Sequence, residues 1–379
     1  MIDVARMPDA KRSELFAATA RKMRLPEAIV EKDFWVCYTL DALFHRSPFR
    51  GRMVFKGGTS LSKGFGLIQR FSEDVDLILD RRLLGYGIDE PWEERSNSKQ
   101  ERFKQETIKR TNRFLAQEFA PALRQVMEGD LERTLAVYPG GDEETVMFEY
   151  PKVFSSPATL GAIRLEVGPL AAWTPSSPVS ITPYAAEQFP RVFARASTVV
   201  STADPARTFW EKATILHQEA NRPADKKMPK RYARHYYDLY RLGHSPVLDA
   251  ALKSSELLAR VVAFKEKFYR TPWARLSEAK PGTLRLSPQP ERRGELEADY
   301  DAMRDMLFGE VPDFNDIVRY MERLESEINT EQGRVWRLAF TPRAWWSSAG
   351  RAPCPSGTGS RTAPARCRSG AGRSPHRRW

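Results

Sequence analysis

Three cysteines among 379 residues, Cys37, Cys354 and Cys367, are too few and too unevenly spaced for a disulfide framework, a zinc knuckle or a redox pair. Cys37 lies in an apolar stretch and is expected in the core. The five histidines, at 45, 217, 235, 244 and 376, lack metal-binding spacing. No Ser/His/Asp or Cys/His arrangement stands out, so hydrolase chemistry is not suggested. Also missing is any run of roughly 18 uncharged apolar residues that could span a bilayer. Met1-Ile2-Asp3-Val4-Ala5-Arg6 lacks the apolar stretch of a secretory signal, and the cytoplasm is the expected compartment. There is no Gly-x-x-x-x-Gly-Lys-[Ser/Thr] loop. Gly64-Phe65-Gly66 lacks both the third glycine and the preceding strand of a dinucleotide fingerprint.

What is present is an ordinary folding composition, 41% hydrophobic and 29% charged, enough for one large core or two modest ones. The net charge of +11 would suggest a nucleic-acid surface, but its location matters. From Arg343 onward there are eight arginines (343, 351, 361, 366, 368, 373, 377 and 378) and no acid, which leaves +3 for the rest. Pro, Gly, Ser, Ala and Arg dominate residues 341–379, with too few aliphatic residues to offset ordering entropy. This segment is expected to be a disordered basic tail. The abrupt change of composition near residue 340 fits a frame-shifted, non-native end, and a basic arm that holds RNA is the competing reading.

Polar and apolar residues alternate at helical spacing over 9–43, broken once before Pro26, which predicts two helices. Arg52-Met53-Val54-Phe55-Lys56 reads as a short strand. Gly57-Gly58 then forms a strand-to-helix turn, with Thr59 or Ser60 as the expected cap. Val75, Leu77 and Leu79 alternate with Asp74, Asp76 and Ile78, so the two aspartates share one face of one strand. A long helix is expected over 98–127, then strands over 131–138, 145–150 and 162–167. After a proline-rich stretch at 174–190, helices are expected over 206–221, 231–242, 247–269 and 291–328. This order is α+β, and no internal repeat is visible.

Chemistry concentrates in Phe55-Lys56-Gly57-Gly58-Thr59-Ser60-Leu61-Ser62-Lys63 and Arg70-Phe71-Ser72-Glu73-Asp74-Val75-Asp76-Leu77. Gly57 and Gly58 would let backbone approach a triphosphate, at a turn whose N–H groups favour an anion. The hydroxyls of Thr59, Ser60 and Ser72 and the ammonium of Lys63 add donors. Asp74 and Asp76 supply hard oxygen ligands for Mg²⁺, as nucleotidyl transfer from a nucleoside triphosphate requires. Taken alone, such a pair could equally be solvated acids at a strand end.

These two segments resemble the first motif of the AbiEii/AbiGii toxin family, a branch of the polymerase-beta-like nucleotidyltransferases that includes the MenT toxins. Phe209-Trp210-Glu211-Lys212 and Arg231-Tyr232-Ala233-Arg234-His235-Tyr236-Tyr237-Asp238-Leu239-Tyr240 are similar to the family's helical lysine and its R-D-x-x-D-L-x-x-L helix. The resemblance spans about residues 27–245. It implies an α+β nucleotidyltransferase fold, a mixed sheet with flanking helices and a helical C-terminal region, with the nucleotide between them. On that basis residues 1–200 would form the nucleotidyltransferase domain, 201–340 a helical domain completing the site, and 341–379 the tail. It also implies a toxin paired with an antitoxin, of the kind found in toxin-antitoxin and phage-defence systems. Two departures stand out: the gap from Gly58 to Asp74 exceeds the generic pattern, and His235 stands where many relatives carry an acid.

Within this frame Asp74 and Asp76 are the metal ligands. Glu166, in Ala162-Ile163-Arg164-Leu165-Glu166-Val167, is the candidate third carboxylate that activates the incoming hydroxyl, against a solvated strand acid as the plainer reading. Lys212 would reach the triphosphate, unless it is merely a salt-bridged lysine. Asp238, among Tyr236, Tyr237, Leu239 and Tyr240, would be partly buried and needs Lys212 or a metal as partner. Glu31-Lys32-Asp33 reads as structural support. Trp35, Trp210 and the Tyr236–Tyr240 cluster could stack a base but are more ordinarily core. Three functions follow: an enzyme transferring a nucleotide to RNA, such as a tRNA end, or to a protein hydroxyl; a silent nucleotide- or partner-binding module; and a nucleotidyltransferase acting on a small-molecule antibiotic.

Overall fold

The computed structural model describes residues 1–332 apart from Glu73, 157–159 and 170–174, and these residues belong to one compact unit. The expected tail at 341–379 lies outside the described residues. No helix among the described residues is long and apolar enough to cross a membrane.

Seven strands form one mixed sheet: β1 (Met53–Lys56), β2 (Asp74–Leu79), β3 (Ala136–Pro139), β4 (Thr145–Glu149), β5 (Ile163–Gly168), β6 (Ser176–Ile181) and β7 (Thr198–Ala203), in the order β3-β4-β5-β2-β1-β7-β6. The α+β architecture is the expected one. In β2 the alternation predicted from sequence holds, with Val75, Leu77 and Leu79 buried and Asp74 and Asp76 on the opposite face. Lys56 pairs with Asp76 across β1 and β2, Asp76 with Glu166 across β2 and β5, and Glu166 with Thr145 across β5 and β4. Directly paired residues point to the same face, so these four side chains form one row across the middle of the sheet.

Upstream helices form where the sequence places them, and two of the downstream ones break. The two N-terminal helices are α1 (Asp9–Met23) and α2 (Glu27–Asp41), separated before Pro26 as expected. The helix expected at 98–127 forms as one helical run over 97–131, α3 (Asn97–Phe114) and α4 (Ala120–Leu131), whose middle widens to a π-helical turn over Leu115–Phe119. Pro121 sits just past that turn, where its missing N–H and its ring disfavour a regular helix. Because α4 runs to Leu131, the strand expected at 131–138 shrinks to the four residues of β3. Strands β6 and β7 were not anticipated. Pro178 lies within β6 at the edge of the sheet, where a residue without an N–H is tolerated.

Downstream lie α5 (Pro205–Ala220), α6 (Ala233–Gly243), α7 (Val247–Lys253), α8 (Ser255–Phe268), α9 (Arg293–Asp301) and α10 (Phe314–Glu327). The helix expected at 247–269 breaks at Ser254, and the one at 291–328 breaks across Gly309, which has φ +71°, and Pro312.

Two hydrophobic clusters result. One gathers residues from Met1 to Val200 around Trp35, Phe55, Leu77 and Leu165. The other gathers residues from Ala206 to Ile328 around Trp210, Tyr236 and Met321, and Leu61 and Ile68 from the loop between β1 and β2 insert into it. That loop is held by three further links. Gln69 N–H donates to the Tyr237 hydroxyl, Phe71 N–H to the Met306 carbonyl, and Phe308 N–H to the Gln69 carbonyl. Beside them Arg70 grips Asp238 with two hydrogen bonds of 2.7 and 2.9 Å, and Lys212 reaches the same carboxylate at 2.9 Å.

Asp238 is fully buried. Burial disfavours its charge, but Arg70 and Lys212 more than offset that and hold its pKa well below the usual carboxylate range. The folded state therefore keeps this carboxylate ionised where the unfolded chain protonates it, and the stability it contributes is lost only as pH falls below that range. Replacing Asp238 by Asn strands two buried cations. The expected cost is about 3–5 kcal/mol in urea unfolding at neutral pH, and a loss below about 1 kcal/mol would contradict the assigned role.

Candidate active site

Strand β1 ends at Lys56, and the chain turns at once into a helical segment over Gly57–Thr59, continued by a wider turn over Ser60–Gly64. Gly57 has φ +80°, and a Cβ there would stand 1.8 Å from an Asp76 carboxylate oxygen. A Cβ on Gly58 would stand 2.6 Å from the Arg70 guanidinium and 2.9 Å from Ser72 Oγ. The glycines are thus needed first by the motif's own side chains, which lie against the turn. The cap expected from Thr59 or Ser60 does not form, because the helical segment already begins at Gly57. Thr59 Oγ1 instead donates to the Asp74 carbonyl at 2.5 Å and ties the turn to β2, while Ser60 Oγ donates to the Gly57 carbonyl at 2.8 Å.

Lys63 corrects the sequence reading. Its ammonium lies 2.9 Å from Asp33 and 3.7 Å from Glu187, above the Tyr184 ring. Burial opposes its charge but Asp33 outweighs that, so its pKa is raised and it serves the support beneath the turn rather than an open phosphate site. Asp33 also accepts from the Tyr184 N–H, and Glu31 accepts from the N–H groups of Val153 and Phe154. The structural role expected for Glu31-Lys32-Asp33 fits, although these charges are buried rather than solvated. Lys212 is likewise committed, to Asp238 and to His235 Nδ1 at 3.2 Å. Burial and the neighbouring Lys212 push the His235 pKa well down, so this imidazole is neutral. Trp35, Trp210, Tyr236 and Tyr237 are buried core side chains with no face open to a base.

Asp74, Asp76 and Glu166 do come together on the sheet. Burial and then the charges of Asp76 and Asp74 raise the Glu166 pKa, against Arg164 and Lys56. Glu166 leans on Arg164 at 3.4 Å, and Arg164 also meets Asp142 at 3.0 Å. Lys56 is the cation of the row: burial opposes its charge, but Asp76 and Glu211 outweigh it and raise its pKa. Glu211, on α5 and 3.0 Å from Arg207, is held below the usual range because Arg207, Lys56 and Lys265 outweigh its burial.

The donor set suits Mg²⁺: hard oxygens alternate on one strand face, and their mutual repulsion, visible at Glu166, is what a divalent cation relieves. Among the described residues no three His, Cys, Asp or Glu side chains converge closely enough to enclose an ion. Two carboxylates completed by phosphate and water are the ordinary Mg²⁺ arrangement.

Beside Asp74 lies a cavity lined by Arg70, Ser72, Arg231 and Arg234, with Phe71, Met303 and Met306. It measures about 20 Å³, so an anion's edge enters it rather than a base. Lys56, Arg70, Glu211, Arg231 and Arg234 lie within the sequence motifs but carry no role that the sequence alone assigns. What assembles them is the pairing of β1 with β2 and the return of α6 to the loop before β2.

A family model described as nucleotidyl transferase AbiEii toxin, type IV toxin-antitoxin system, matches residues 39–323. Solved structures similar to this chain include MenT4, a nucleotidyltransferase toxin of Mycobacterium tuberculosis H37Rv, at 16% identity over 84% of this chain and 92% of that one, with a TM-score of 0.47. JHP933 from Helicobacter pylori is 14% identical over 83% of this chain and 100% of that one, with a TM-score of 0.40. No curated protein sequence matches.

The close approach of Asp76 to Gly57 gives a stability test. Gly51 also has positive φ, at +70°, but has open space where a Cβ would go. Gly57→Ala should therefore lower unfolding stability by about 1 kcal/mol or more beyond Gly51→Ala. Equal losses in urea titrations would show that the carboxylate does not press on the turn.

Glu144, in the turn just before β4 with φ +57°, has its pKa pushed up to about 7 by burial and by Glu143, against Lys104 and Lys56. The folded state then takes up a proton that the unfolded chain does not hold between the ordinary glutamate range and about pH 7, so stability falls as pH rises through that window. Glu144→Gln should add about 2 kcal/mol above about pH 8 and little in acid. A variant that tracks the parent at every pH would contradict this.

Proposed function

Because the chain belongs to the AbiEii nucleotidyltransferase toxin family, whose model spans residues 39–323, we propose that it transfers a nucleoside monophosphate from a nucleoside triphosphate to RNA in the cytoplasm, with Mg²⁺ held by Asp74 and Asp76. The family itself makes the chain a nucleotidyltransferase toxin with an antitoxin partner. The observation that carries the finer reading is the row Lys56, Asp76 and Glu166, in register across β1, β2 and β5 with Asp74 one step along the same face. A silent binding module would have its third carboxylate absent or displaced, whereas Glu166 is paired directly with Asp76.

Asp74 and Asp76 would present their oxygens to the ion, which when bound neutralises triphosphate charge and polarises the phosphoryl group under attack. Arg231 and Arg234, at the start of α6, approach the phosphates from the cavity beside Asp74, with Ser72 as a neutral donor. Arg70 lines the same cavity, but its outward freedom is limited by its paired bonds to Asp238. Glu166, whose proton affinity is raised, accepts the proton of the acceptor hydroxyl. The hydroxyl oxygen forms the new bond to the α-phosphorus, the bond to the bridging oxygen breaks, and pyrophosphate leaves with that electron pair. Lys56 balances the carboxylates without a metal contact of its own. Lys212 and Asp238 act through Arg70 as positioning residues.

The test is incubation of the full chain with Mg²⁺, total RNA and each α-labelled nucleoside triphosphate in turn. Label should enter RNA for at least one triphosphate. Asp76→Ala should reduce it by about 10³-fold or more while the melting temperature stays within a few degrees, since a partly buried strand-face carboxylate contributes little apolar packing. Label entering the protein instead would point to a protein hydroxyl as acceptor, and undiminished labelling by Asp76→Ala would refute the metal assignment.

A further inference from the structure

A large basic cleft lies away from the arginine cavity and shares no lining residue with it. It measures about 740 Å³ and runs between α3 and the segment that follows α8. Five cations line it, Arg95, Lys104, Lys267, Arg270 and Arg275, against the carboxylates of Glu101 and Glu266. Arg95, ion-paired with Glu93 at 2.9 Å, and Lys267 are anchored to backbone carbonyls at Glu90 and Glu93, which ties the two walls together at one end. Arg270 and Arg275 stand exposed beyond Lys267, Arg275 paired with Glu278 at 3.0 Å. The charge of the body is close to balanced, so this cleft is a local concentration rather than a share of a general excess.

Three features point from charge to ligand. Asn97, Gln100, Glu101 and Lys104 recur at helical spacing, which turns one face of α3 into the cleft. Both heteroatoms of the Gln100 carboxamide are shielded from solvent without a hydrogen-bonding partner in the structure, a condition a bound polar group would relieve. Tyr269 is half exposed, with the Lys104 ammonium 5.8 Å from its ring centre.

The cleft also leads to the chemistry. Further along α3, Asn112 Oδ1 accepts from the Glu144 N–H at 2.8 Å, and the next residue, Thr145, pairs with Glu166. Tyr269 is within electrostatic reach of Glu144, Lys56 and Glu211.

We infer that this cleft is the track for the acceptor, a single-stranded nucleic acid whose phosphates meet Lys104, Arg270 and Arg275, whose base stacks on Tyr269, and whose terminal hydroxyl is delivered along α3 to Glu166. Donor and acceptor then enter through separate openings, the triphosphate beside Asp74 and the strand beside Glu166. A cationic groove with an exposed aromatic ring is the arrangement that binds single strands without base readout. This rests on the nucleotidyltransferase reading of the site.

The test is fluorescence anisotropy of a labelled, unstructured oligoribonucleotide with the full chain, needing no turnover. Lys104→Glu with Arg270→Glu should weaken binding by about 10–100-fold and reduce the salt slope by about 1.4, the value for two lost phosphate contacts on a single strand. Lys11→Glu with Arg21→Glu, the same charge change on the exposed face of α1, should have a much smaller effect. The eight arginines from Arg343 onward are common to all these proteins, so differences isolate the cleft. If the charge reversal fails to fold, Lys104→Gln with Arg270→Gln gives the same comparison. Affinity unchanged by the cleft variants, no binding at all, or variant-sensitive binding of polyglutamate in place of RNA would each overturn the inference. Cleft-dependent RNA binding without any labelled transfer would instead leave the acceptor track standing and count against the transfer reaction.

Discussion

A buried carboxylate between two cations holds this molecule's working parts together. Asp238 is fully buried and takes two hydrogen bonds from Arg70 and an ion pair from Lys212. Neither cation is adjacent to it in sequence: Arg70 precedes the aspartate strand β2, Lys212 lies on α5 and Asp238 on α6. The carboxylate is affordable in the interior only because both partners are present and well aligned. Its consequence is positional, since the loop that delivers Asp74 and Asp76 is fixed against the helix that delivers Arg231 and Arg234. The carboxylate face and the anion cavity thereby become neighbours.

Around that tie, each charged group is assigned by what surrounds it. Lys63 and Lys212, the two lysines expected to reach phosphates, are instead committed to Asp33 and Asp238, and the cation that stands in the carboxylate row is Lys56. Glu166 and Glu144 carry raised proton affinities because burial and like charges act together there. Groups shifted in this way on one face of a sheet are the kind that acid-base chemistry uses. The sheet supplies rigidity, and the helices bring in the charges that complete the site.

The legible part of this architecture was local. The period-two pattern of residues 74–79 placed both aspartates on one face, and the same reading of residues 162–167 put Glu166 forward without knowledge of its partner strand. The glycine turn was legible as a turn, but its reason was not. That Gly57 must yield to Asp76 follows from the pairing of β1 with β2, which no local pattern encodes. Arg70 was visible only as a member of a motif, because its partner lies 168 residues away. Strand β7 and the edge strand β6 were missed because proline and serine obscure the alternation in β6, while in β7 Thr198 and Thr202 are buried and Val199 is exposed. Helices were over-extended at Ser254 and again where Gly309 and Pro312 broke a continuing amphipathic pattern. The arginine cavity and the basic cleft are products of tertiary folding, with lining residues drawn from distant segments.

The central claim is that the aspartate pair and the arginine cavity form one metal-assisted triphosphate site. The most direct measurement is calorimetric titration of the full chain with a non-hydrolysable nucleoside triphosphate, with and without Mg²⁺, for the parent and for Asp74→Ala with Asp76→Ala. The account predicts that Mg²⁺ tightens binding by the parent at least about tenfold, about 1.4 kcal/mol, and that the aspartate variant keeps a weaker affinity indifferent to Mg²⁺. Parent affinity independent of Mg²⁺, or a Mg²⁺ effect that survives loss of both aspartates, would contradict it.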